Sequence, residues 1–90
     1  MRDVLHFNLN FTQMDISFDK IEDSAKKLLL GKKIVDVRYM THKETHDMMW
    51  SHRGIVIMLD DGTDFIPQCD EEGNDAGCLN FSNGQIVPKL

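Results

Sequence analysis

Hydrophobic and polar residues alternate with two different periods along this chain, and the switches between them mark its elements. Leu5, Phe7, Leu9 and Phe11 alternate with His6, Asn8, Asn10 and Thr12, the period-2 pattern of a strand with one buried face. From Phe18 the apolar residues Ile21, Ala25, Leu28 and Leu29 recur at helical spacing instead. Ser17 can cap that helix, Ile16 and Ile21 hold the positions of a hydrophobic staple, and Gly31 is the expected stop. The pattern predicts an amphipathic helix over 17–30, covering a sheet. Extended character returns over 33–41, with Val35, Val37 and Tyr39 on one side and Ile34, Asp36, Arg38 and Met40 on the other. Asp36 and Arg38 imply that this second side is partly wet or carries an ion pair.

Thr41-His42-Lys43-Glu44 matches the capping box, so a short helix over about 42–50 is predicted to follow. Ile55 to Leu59 is then an unbroken apolar run rich in β-branched residues, which fits a strand covered on both faces. Asp61-Gly62 tolerates positive φ and Phe65-Ile66 resumes apolar character, so a hairpin is expected there. Pro67 ends its strand and points to an edge. Beyond an acidic loop, Cys78 to Phe81 and Ile86-Val87 form two further short strands around the turn Ser82-Asn83-Gly84. The fold class predicted is α+β: one domain over 1–90, with a mixed or mainly antiparallel sheet of four to six short strands, one amphipathic helix packed on it and one short helix.

Composition narrows the function classes. A chain of 90 residues has room for a single modest core, and 41% hydrophobic with 28% charged residues is ordinary for a soluble globular protein. The formal charge of −5 repels phosphate backbones, and the only basic cluster, Lys26, Lys27, Lys32 and Lys33, falls where cations complement a helix C-terminus. Nucleic acid is therefore not an expected partner. No run has the length of a membrane helix or a signal-peptide core, so neither a membrane partner nor export is expected, and the cytoplasm is the expected location. Cys69 and Cys78 flank the acidic loop, and without export they are expected as reduced thiols.

Candidate chemistry is sparse. His42 and His46 stand one helical turn apart and His52 lies close behind, a set that could hold a metal ion, although no Cys-x-x-Cys element accompanies it. Asp70, Glu72, Asn74 and Asp75 offer oxygens in the way calcium loops begin, but a loop counted from Asp70 would need glycine and glutamate where Asp75 and Phe81 stand. Turn chemistry explains the loop more simply. Trp50, with Met48, Met49 and Met58, fits either a core cluster or an adaptable contact surface, and Arg53 leads from it into the central strand. There is no glycine-rich phosphate loop and no nucleophile elbow, so no residue is assigned to catalysis and no cofactor is expected.

LGKKIVDVRYMTHKETHDMMW from Leu30, followed by R-x-IVIMLDDGT and D-x-EGNDAGCL, resembles a set of short uncharacterised proteins of tailed phages and bacteria. The resemblance covers roughly 30–79, its most specific parts being Val37 to Thr41, Trp50, the Leu59 to Gly62 turn and Asp70 to Gly77. It implies a shared fold and a phage origin and carries over no functional residue. Together with small size and acidity, it leads to the expectation of a non-enzymatic binding protein, a phage-encoded modulator or inhibitor of a host protein, with Trp50, Arg53, Asp70, Glu72, Asn74 and Asp75 as candidate contacts. Edge strands leave room for a homodimer. The alternative is a small-ligand or metal-binding protein using the histidines of 42–52 or the acidic loop of 70–75.

Overall fold

The computed structural model describes residues 18–90, so the strand expected over 5–12, the staple residue Ile16 and the cap at Ser17 lie outside the described residues. Among the described residues the fold is α+β, with two helices and two antiparallel sheets. The chain divides into two compact units, 1–31 and 32–90.

In the first unit, helix α1 spans Phe18–Leu29, with Asp19 in its first turn and Lys26 and Lys27 in its last, each end matched to the helix dipole. Glu22 and Lys26 pair across one turn at 3.4 Å. Gly31 follows at φ 79°, where the stop was expected. None of the residues of α1 is buried.

The second unit is built on three strands in the order β1-β2-β3: β1 (Ile34–Tyr39), β2 (Ile55–Leu59) and β3 (Asp64–Phe65). The apolar run becomes the central strand, and Ile55, Val56, Ile57 and Leu59 are all buried, as a strand covered on both faces should be. Strand β1 pairs antiparallel with it, Arg38 opposite Val56 and Val37 opposite Ile57. A bulge between Ile34 and Asp36 interrupts the simple alternation expected for this strand: Ile34 lies opposite Leu59 and Asp36 opposite Met58, leaving Val35 as the extra residue. The Asp36 carboxylate also accepts the Val37 amide at 2.8 Å. Bulge and carboxylate together blunt what is an edge strand among the described ones.

The β2–β3 hairpin turns through Asp60, Asp61 and Gly62, with Leu59 and Thr63 bonded across it at 2.9 Å. Gly62 takes φ 90°, the left-handed position that closes such a three-residue loop. Asp61 fixes the tip by accepting the Thr63 amide and hydroxyl and the Lys32 ammonium, the last at 2.8 Å. Those donors, Lys32 first, hold its carboxyl well below the usual range.

After Pro67 the chain doubles back on itself. Gln68 bridges Ala76, and the Gly77 amide bonds the Pro67 carbonyl at 2.8 Å, so the acidic loop is the tip of a small antiparallel loop. Strands β4 (Leu79–Asn80) and β5 (Ile86–Val87) form the second sheet. The five described strands are thus divided between two sheets. The C-terminus is tied to the first of these by reciprocal backbone bonds between Arg53 and Leu90 and by the Tyr39 hydroxyl on the Pro88 carbonyl.

Met40, Trp50, Val56 and Ala76 form the core cluster, with Met58 and Ile66 packed on it. Gly54 sits where strand and loop approach most closely: a Cβ there would lie 2.7 Å from Ile66 Cγ2 and 3.1 Å from Ala76 Cβ. The backbone comes that near only because glycine has no side chain.

Candidate functional site

Helix α2 (His42–Asp47) follows β1 in the chain, and its start and its end are each set by a local motif. At the start the capping box forms as expected: Thr41 Oγ1 accepts the Glu44 amide at 3.1 Å, and Glu44 Oε1 accepts the Thr41 amide at 2.8 Å. The same carboxylate receives both guanidinium nitrogens of Arg38, at 2.8 and 3.0 Å. This fork, reinforced by the Thr41 amide, lowers the Glu44 pKa to about 2 and raises that of Arg38. One glutamate thereby caps the helix and ties it to β1.

The helix is shorter than the 42–50 expected, and the reason is a Schellman turn. The Trp50 amide bonds the Thr45 carbonyl at 3.0 Å and the Met49 amide bonds the His46 carbonyl at 2.9 Å. The residue at the left-handed position of that turn is Met49, at φ 60°, where glycine is usual. Trp50 is carried past the helix end into the core, while Met49 projects outward at 84% exposure and Met48 at 49%.

Between α2 and the sheet lies an open cleft of about 290 Å³, lined by Arg38, Met40, Glu44, Asp47, Met48, Val56, Asp64 and Ile66. Its floor is apolar: Met40 and Val56 are buried and Ile66 is half-buried. Its rim is charged. Glu44 is engaged by Arg38 and Asp47 by Lys43 at 2.8 Å, whereas the Asp64 carboxylate has no ion pair among the described residues. Arg38, Glu44, Asp47 and Asp64 were not among the sequence-derived candidates. The wet side of β1 and the glutamate of the capping box were both legible, but nothing in their spacing joined them.

The expected contact residues form a different constellation. Trp50 is only 7% exposed, and its indole N–H donates to the Gly73 carbonyl at 2.7 Å, pinning the acidic loop. Arg53 is half-buried and donates through Nε to the Met40 carbonyl at 2.7 Å. Asp75 Oδ1 accepts the amides of Ser51, His52 and Ala76, and Oδ2 meets His52 Nδ1 at 2.7 Å. The His52 contact, helped by those amides, brings the Asp75 pKa down to about 2. Asp70 accepts the amides of Glu72 and Asn74 and the Asn74 side-chain amide, which also reaches Glu72 at 3.3 Å. The structure thus brings Trp50, Asp70, Glu72, Asn74 and Asp75 together in one loop assembly, in which most of the oxygens are already accepting hydrogen bonds from the loop and from 51–52. Arg53 stands apart from it, beside Met40 and Leu90.

The three histidines are not gathered. His42 and His46 lie on α2 and His52 is held by Asp75, and no group of three or more His, Cys, Asp or Glu side chains among the described residues is arranged to hold a metal ion. Cys69 and Cys78 are both free and exposed. No helix among the described residues is long and apolar enough to cross a membrane. No protein-family model, curated protein or solved structure matches this chain.

Proposed function

We propose that this chain is a non-enzymatic protein-binding module of the cytoplasm, a phage-encoded modulator or inhibitor of a host protein, that engages its partner through the α2 end of the sheet. One observation carries the reading. Met49 keeps a left-handed backbone at a position where glycine would be unstrained, and its side chain is 84% exposed, next in the chain to Met48, which lines an open cleft. Strain held at an exposed, flexible apolar side chain is understandable where that side chain meets something, and methionine is a residue that adapts to a partner's shape. Trp50, by contrast, serves the reading only indirectly, by fixing the turn that presents Met49. Partners of nucleic-acid or membrane type do not suit a chain of net charge −5.

Capture from a bacterial lysate by immobilised protein tests the reading, with Met49→Gly as the comparison because that change keeps the turn and removes the side chain. Proteins retained by the natural sequence and lost by the variant are the expected result. Retention of nothing across several salt concentrations, or equal retention by both, would overturn the proposal.

A further inference from the structure

Resting on that reading and naming the partner's chemistry, we infer that the cleft between α2 and the sheet receives a lysine or arginine side chain from a basic segment of the partner protein. Floor and rim ask for different halves of one group. Met40, Val56 and Ile66 with the wall residue Met48 give an apolar surface suited to an aliphatic stem, as long basic side chains bury their methylenes and keep their charge in water. The lining residues include three carboxylates, Glu44, Asp47 and Asp64, and one guanidinium, Arg38. That guanidinium is already forked onto Glu44, so the field left over at the opening is negative.

Of the other two, Asp47 is held among the described residues by Lys43 one turn away, in a pair whose side chains are 57% and 83% exposed. Such an exposed pair is worth little and exchanges readily for an incoming cation. Asp64 lies across the sheet on β3 and makes no ion pair among the described residues, although its charge helps to hold Arg38 protonated. A cationic head lying over the floor meets Asp64 on one side and Asp47 on the other. An anionic or phosphate-bearing partner would meet repulsion there, and the net charge of −5 favours encounter with a basic surface before any contact forms.

The test is an amide-resolved NMR titration of the whole chain at low salt with a capped peptide carrying leucines and lysines, beside the same peptide with its lysines acetylated. Shifts confined to 38–48, 56 and 64–66 are expected with the first peptide. Acetylation should abolish them, and Asp64→Asn should weaken binding roughly threefold, the size of one partly exposed ion pair. The variant's own spectrum shows whether its fold is kept, and Asp47→Asn serves as a second probe should Asp64→Asn disturb β3. Shifts that map to 70–77, that survive acetylation, or that are unchanged in both variants overturn the inference. Should the lysate experiment still find a partner lost in Met49→Gly, only the basic chemistry falls; should it find none, the binding reading falls with it.

Discussion

Replacing Met49 by glycine should make the protein more stable, which is an unusual direction for a change that deletes a whole side chain. An L-residue in the left-handed region costs about 1–2 kcal/mol because Cβ crowds the following carbonyl. Glycine removes that cost but adds freedom to the unfolded chain worth roughly 0.5–1 kcal/mol. The side chain contributes little packing to offset either figure, being 84% exposed, and both Schellman bonds are backbone bonds that glycine keeps. A net gain of about 0.5–1 kcal/mol follows, a rise in Tm of about 2–8 °C for a domain of this size. Thermal unfolding followed by circular dichroism measures it. Met49→Ala is the control, since alanine removes the same side chain but keeps the Cβ, and it should leave Tm nearly unchanged. If Met49→Gly lowers Tm, or if Met49→Ala raises it equally, the left-handed backbone is not where the energy lies.

Gly54→Ala should destabilise by about 1–3 kcal/mol, because its Cβ would fall 2.7 Å from Ile66 Cγ2; urea titration should show much of the loss restored when Ile66→Ala is added. Trp50→Phe keeps most of the apolar volume but deletes the donor to the Gly73 carbonyl, and should cost about 1–2 kcal/mol, with amide exchange accelerating through 70–77. Acid should also loosen the fold. Glu44 and Asp75 have pKa values near 2 in the folded chain, below their ordinary 4.5 and 3.8, so their stabilisation is fully present above the ordinary values and is lost as pH falls toward 2. The urea midpoint should fall between pH 6 and pH 3, and Asp75→Asn should reduce that fall; a midpoint independent of pH in this window would contradict the geometry.

What could be read in advance was the chemistry that residues a few positions apart impose on each other. The apolar run of β2, the Asp61-Gly62 turn, the capping box from Thr41 to Glu44 and the stop at Gly31 all act within one turn of chain, and each stands where it was expected. The Schellman turn was illegible because methionine sits in the glycine's place, and the bulge at Val35 because no residue type marks it. The pairings of Trp50 with Gly73 and of Asp75 with Ser51 and His52 span more than twenty positions, and local periodicity carries nothing about which loop will meet which turn.

The same distinction reorders the candidate site. An acidic loop draws the eye because carboxylates crowd together in the sequence, yet crowding is also what lets them satisfy nearby amides. Asp70 and Asp75 each spend both carboxylate oxygens within the fold, and an oxygen so engaged must give up a bond before it can take a ligand. Asp64, isolated in the sequence between a turn and a phenylalanine, gives up no ion pair on meeting a cation. The loop is accordingly the scaffold that holds Trp50 and the turn after α2, and the surface proposed to meet a partner is the cleft, whose members come from β1, α2, β2 and β3.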